Sequence, residues 1–279
     1  MDEIANKSTD SEVSARKKAL QLGRIIGLTS EDDYRPATAS IAERAQHRQR
    51  KQLSVHQANL ESIFTLALNY TPSDVTGSDL DADWSYQFFQ MAEQIHNRKM
   101  QDLWARILAS EIVNPGNFSL RTLAILRQLT LREAQVLEKA LGMSVKIGSD
   151  NRVKLLTGYR LNGGIKQYFR KSTTVNIPLS QFGLPYSNIL TLMDAGILHN
   201  SEFETGLLDP KAILTMRLFT DEWQIQPQNS HLQFTYYRFT PIGDEICQLI
   251  AAKADSDFNQ ALKALLNKDF RLNNSIGNK

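Results

Sequence analysis

The sequence predicts an α+β protein, predominantly helical, in which an N-terminal helical region is followed by a winged-helix-like α+β domain. Three observations predict it. Apolar residues recur at three- and four-residue spacing, with capping residues, through the first half of the chain. Around residue 142 the pattern changes to short β-favouring runs with turn residues between them. The second half then reads helix, turn, helix, strands, helix, which is the order of a winged-helix module. The predicted divisions are 1–39 (helix and linker), 40–142 (helical domain), 143–254 (winged-helix-like domain) and 255–279 (helix and tail).

Residues 11–27 read as a short helix that Ser11 caps and Gly27 ends with a positive φ. Residues 28–39 are polar, contain a proline and read as a linker. Ser40 opens a long helix to about Asn69, with Leu53, His56, Leu60, Ile63 and Ala67 on one stripe. Its first half places Ala42, Ala45, Gln46 and Gln49 where the second has Leu and Ile, so the helix is half polar. Such a helix is either an exposed arm or one that needs a helical partner, including another copy of the chain. Residues 71–82 are a turn-rich connector.

Phe88, Ala92 and Ile95 form the next stripe, and Met100, Leu103, Trp104, Ile107, Leu108 and Ile112 another, with Asn97 placed to cap the second. Trp84 and Trp104 can anchor an interface, but at this spacing they read as core. Pro115-Gly116 stops that helix. Ser119 then caps a new one, with Phe118 before the cap and Leu123 in the first turn as a hydrophobic staple. Thr130 and Glu133 form a capping box ahead of another. Residues 145–160 favour strands, turning at Gly148. Residues 178–198 read as helix, tight turn at Gly183-Leu184-Pro185, and a second helix ended by Gly196. Strand-like runs follow at 213–219, 223–226 and 232–239. Thr240-Pro241 starts a helix, and a last amphipathic helix carries Phe258, Leu262 and Leu265.

The block Met100 to Leu123, MQDLWARILASEIVNPGNFSLRTL, resembles a signature shared by bacterial cytosolic proteins of unknown function. In that family it is commonly followed by a winged-helix-like segment ending in an LTP-G pattern, here Phe239-Thr240-Pro241-Ile242-Gly243. One departure is His96-Asn97-Arg98-Lys99, a basic helix start where related sequences usually have Ser-Asp or Ser-Glu. The resemblance implies a fold and a cytoplasmic location but no reaction. It picks out Trp104, Arg106, Glu111, Pro115, Gly116, Phe118, Ser119 and Arg121 as the structural corner of the block.

Composition narrows the function. The chain has 279 residues, 42% hydrophobic and 22% charged, enough to bury a sizeable core. Its 32 basic and 30 acidic residues leave a net charge of +2, which is not that of a polycationic nucleic-acid binder. The single cysteine, Cys247, excludes an intrachain disulfide and reads as a buried thiol. The polar, acidic N-terminus is not a secretory signal, and the longest uncharged run, Ser172 to Met193, holds too many polar residues and prolines for a membrane span. A cytosolic protein without a membrane partner is expected.

No phosphate loop, dinucleotide fingerprint, H-E-x-x-H or G-x-S-x-G motif occurs, and the five histidines are scattered. No catalytic residue, metal site or cofactor is therefore expected. The best enzymatic candidate is Glu111 with Arg106, Arg121 and Asp102, and the preferred reading of that group is an ion-pair network fixing the Pro-Gly corner. Two basic features could bind nucleic acid. One is the helix face of Arg44, Arg48 and Lys51, with His47 and Arg50 alongside. The other is Arg152, Lys154, Arg160, Lys166, Arg170 and Lys171, interleaved with Tyr159, Tyr168 and Phe169. Against duplex DNA, the recognition-helix position, residues 186–195, carries no Lys or Arg. The sequence thus favours a non-catalytic interaction or regulatory protein with a protein partner or self-association. A nucleic-acid-binding regulator is the alternative, and an enzyme at Glu111 and Arg121 is third.

Overall fold

The computed structural model of the chain describes residues 15–31, 34–74, 76–77, 79–163, 173–219 and 221–274. It shows an α+β protein in two compact units, Met1–Ser73 with Ser85–Ala109, and Asp74–Trp84 with Ser110–Lys279. No helix among the described residues is long and apolar enough to cross a membrane.

The first unit carries α1 (Ala15–Ile25), α2 (Ile41–Tyr70) and most of α3 (Ala82–Ala92) and α4 (Arg98–Val113). Gly27 follows α1 with φ +73°, as the sequence predicts, while Ser11 lies outside the described residues. The capping box that opens α2 is complete. Ser40 Oγ accepts from the Glu43 N–H at 3.3 Å, and Glu43 accepts from the Ser40 N–H at 2.7 Å. Within the stretch read as a linker, Tyr34 stacks on His47 of α2 at 3.8 Å between ring centroids, and Glu31 pairs with Lys51.

The predicted stripe on α2 divides. Ile63 and Ala67 are buried, but Leu53 is not, and the position that goes inside is Asn59. The cause is a polar clasp. Asn59 Nδ2 donates to the Glu93 carbonyl at 2.8 Å, and Gln101 Nε2 donates to Asn59 Oδ1 at 3.1 Å and to the Ile95 carbonyl at 2.8 Å. Each buried amide thereby finds partners, which sets which face of α2 turns inward. His56 pairs with Glu93 at 3.3 Å. Beneath this clasp Phe88 and Trp104 are fully buried against each other, 5.2 Å between ring centroids. Asn97 caps α4, accepting from the Lys99 and Met100 N–H groups.

The second unit opens with α5 (Leu120–Gln128) and α6 (Leu131–Gly142). Ser119 caps α5, with Phe118 and Leu123 both buried, and Thr130 and Glu133 close the second capping box. The chain then turns to strands: β1 (Val145–Ile147), β2 (Asp150–Leu161), β3 (Thr174–Asn176), β4 (Leu198–Glu204), β5 (Leu214–Arg217), β6 (Glu222–Pro227), β7 (Leu232–Phe239) and β8 (Phe270–Asn274). They form one antiparallel sheet in the order β4-β7-β2-β1-β5-β6-β8, with β3 also paired to β2. This sheet is larger than the three runs the sequence reads after residue 200. β3 and β4 escape that reading because they are short or polar, and β8 because it lies in the expected tail.

A short 3-10 helix (Leu179–Phe182) and α7 (Tyr186–Asp194) sit where a helix pair is expected, joined through Gly183 at φ +81°. Only the first is shorter than predicted. α8 (Pro241–Cys247) begins at the Thr240 cap, and α9 (Ser256–Leu266) is capped by Asp255, which accepts from the Phe258 N–H at 2.9 Å. Tyr159, Phe234 and Phe270 stack into the core of the sheet unit, and Tyr159 Oη donates to Asp269 at 2.7 Å.

Candidate functional site

Three places were candidates: the Glu111 corner, the basic faces, and a cavity that the sequence does not reveal. At the corner, α4 ends where Pro115-Gly116 reverses the chain, with Gly116 at φ +89°. Glu111 is buried there. One carboxylate oxygen accepts from the Gly116 N–H and the other from the Phe118 N–H at 3.1 Å. The Phe118 carbonyl accepts from Trp84 Nε1 at 2.7 Å, and the Ser119 N–H donates to Glu245 on α8 at 2.7 Å. The carboxylate thus supplies an acceptor to the buried Phe118 N–H and ties the exposed Gly116 to it. This is not the expected ion-pair network. Arg121 is exposed in the first turn of α5, and Arg106 pairs with Asp102 at 3.0 Å while lying 5.1 Å over the Tyr70 ring. Trp104 is core, and its indole nitrogen is buried without a hydrogen-bond partner among the described residues.

The basic features are largely taken up. Arg44 and Arg48 are exposed on α2, but Lys51 is held by Glu31 and the Arg24 carbonyl. On β2, Arg152 is exposed, while Lys154 is buried, 2.7 Å from Asp150, and Arg160 pairs with Glu204. Tyr159 is core. Lys166, Arg170, Lys171, Tyr168 and Phe169 lie outside the described residues. The counter-charges are invisible in the 152–171 stretch because Asp150 precedes it and Glu204 comes from β4, two strands across the sheet through β7.

The cavity lies in the sheet unit between the end of α6, β1, β2, the end of β5 and α8, and has a volume of about 610 Å³. Leu141, Val145, Val153, Leu218 and Phe219 supply apolar wall, and Lys146, Arg152, Arg217, Asp244 and Cys247 supply polar groups. Burial pushes the Asp244 carboxyl above the ordinary carboxylate range, against the pull of Arg152 and of the Val153 N–H. Burial also pushes the Cys247 thiol far up, with the Asp244 charge adding to it. Reactivity needs the thiolate. Alkylation of native Cys247 by iodoacetamide at mildly alkaline pH should therefore be at least about 100-fold slower than that of a free thiol, and full rate should return in urea. Modification of the native protein at the free-thiol rate would contradict this.

A family model described as a protein of unknown function, DUF2806, matches residues 43–263. The chain belongs to this family. The DUF2806 match runs from the first turn of α2 into α9, so it contains the Glu111 corner, the cavity and nearly all of α2, and it leaves out α1. No match was found among curated proteins or among solved structures.

What remains exposed on α2 was missed by the sequence reading. Leu53 is 59% exposed, Phe64 49% and Leu68 59%, with Leu60 half-buried among them. At 100° per residue these four fall within an arc of about 80°, beside the face that buries Asn59, Ile63 and Ala67. The signal was present as two adjacent apolar arcs, which a single-stripe reading merges.

Proposed function

We propose that this DUF2806 protein is a non-catalytic cytosolic interaction protein that associates with a second copy of itself through α2. The exposed stripe Leu53, Leu60, Phe64 and Leu68 carries the proposal. A contiguous exposed apolar patch marks an interaction surface more often than chance. The residues on this face run 53, 57, 60, 64, 68, spacings that nearly mirror about a twofold axis between Leu60 and Glu61. An antiparallel copy would set Leu53 against Leu68 and Gln57 against Phe64 over about 22 Å of helix. A self-complementary patch is what an isologous dimer requires. Arg44 and Arg48 leave the first half of the helix polar, which limits the contact to its second half.

The winged-helix-like reading of the sheet unit fits the same role. The outward residues of α7, Tyr186, Ser187, Leu190 and Asp194, carry no cation, so this helix supports protein contact rather than groove reading. The clasped Glu111 argues against the enzymatic reading, since its carboxylate is engaged by the backbone. The nucleic-acid reading keeps Arg44, Arg48 and Arg152 as its exposed cations among the described residues.

The test is the triple variant Leu53→Glu/Phe64→Glu/Leu68→Glu, sized by light scattering after gel filtration. Loaded at high concentration, the unmodified chain is expected to elute as a dimer and the variant as a monomer. The variant should keep its circular dichroism because the three side chains are exposed in the single chain, and should show a lower thermal midpoint because it loses the stabilisation of association. A variant that stays dimeric would overturn the assignment of this face.

A further inference from the structure

We infer that the cavity between α6, the β1–β2 hairpin and α8 is a ligand site for a small, largely apolar organic anion that carries one N–H or O–H donor. The apolar wall of Leu141, Val145, Val153, Leu218 and Phe219 would cover the body of such a molecule. Its negative group would sit at Lys146 and Arg152, both exposed and without an ion pair among the described residues. Its donor would meet Asp244 Oδ1, which is buried and has no hydrogen-bond partner among the described residues. The volume, about 610 Å³, lies in the range of small-molecule sites.

The buried Asp244 Oδ1 points to the donor. A buried acceptor left unmade costs about 1–3 kcal/mol, and proteins rarely keep one without use. Here it sits in a cavity that also presents the cations Lys146, Arg152 and Arg217. That combination selects a ligand with an anionic group, a hydrogen-bond donor and an apolar body. Arg217 is a weaker candidate for the anion, because it is already engaged by Glu222 and Asn151, each at 3.3 Å. Cys247 lines the floor as an inert thiol and takes no part in chemistry. The inference is independent of self-association through α2.

The test uses two fluorescent probes on the full chain. 8-Anilinonaphthalene-1-sulfonate has an apolar body, an N–H and an anion. N-phenyl-1-naphthylamine has the same body and N–H without the anion. The sulfonate is expected to bind one-to-one and about tenfold more tightly than the neutral probe, which corresponds to about 1.4 kcal/mol. In Lys146→Ala/Arg152→Ala that preference should disappear while the neutral probe binds as before. Both side chains are exposed, so the fold should survive. Cys247→Phe, which fills the floor, should abolish binding of both probes with the circular dichroism unchanged. If that variant fails to fold, the Lys146/Arg152 comparison decides alone. No emission change with either probe, equal affinities for the two, or a preference that persists without the two cations would overturn the inference. In those cases a bound water satisfies Asp244 and the cavity has no anion end.

Discussion

Glu111→Ala is expected to lower the unfolding free energy by about 2 kcal/mol, because it leaves the buried Phe118 N–H without an acceptor and releases the N–H of the exposed Gly116. Loss of the clasp also loosens what hangs from it. The Phe118 carbonyl receives the Trp84 indole, and Ser119 next along caps α5 and donates to Glu245. Glu111→Gln keeps one carbonyl acceptor but presents an amide donor to the other N–H, so about half the loss is expected. Urea unfolding followed by circular dichroism measures both. The order wild type, Gln, Ala is the structural result. A catalytic Glu111 would give the opposite pattern, an intact fold in both variants, and a loss under about 0.5 kcal/mol for Ala would contradict the clasp.

Gly243→Ala should cost about 3 kcal/mol. A Cβ at this position would lie 2.2 Å from the Ile197 carbonyl oxygen and 3.2 Å from the Phe239 ring. Neither neighbour can retreat freely. The Ile197 carbonyl accepts the Thr240 N–H at 2.9 Å, and Phe239 is buried at the end of β7. Gly243 also donates its own N–H to the Thr240 cap. The glycine of the Thr240-Pro241-Ile242-Gly243 segment is thus needed for close approach of α8 to the chain after α7, not for backbone freedom. By contrast Gly116→Ala meets nothing within 4 Å and suffers only from its positive φ. Equal effects of the two substitutions in urea unfolding would refute this explanation.

Much of the fold was legible because its signals are local. Ser40, Ser119, Thr130 and Thr240 each satisfy free backbone donors within three residues, so their helices begin where the sequence places them. The change of character near residue 142 marks the end of α6 at Gly142 and the start of β1 at Val145. What was not legible depends on partners distant in the chain. Nothing near Asn59 announces that it will be buried, because its partners are Glu93 and Gln101. Lys154 looks like a free cation among cations until its ring contact with the distant Tyr236 on β7 is known. The sequence suggests the arginines as partners of Glu111, whereas its carboxylate accepts from the Gly116 and Phe118 N–H groups, an arrangement that no local pattern announces. The cavity has no sequence pattern at all, since its walls come from four separate stretches of the chain, 141–146, 151–153, 217–219 and 244–248.

The central claim is that α2 joins two copies of this chain, and sedimentation equilibrium on the unmodified protein tests it most directly. Across low micromolar to several hundred micromolar chain, the apparent mass is expected to rise from near the monomer value of 31.6 kDa and level off at twice that. A mass that stays at the monomer value throughout would contradict the account.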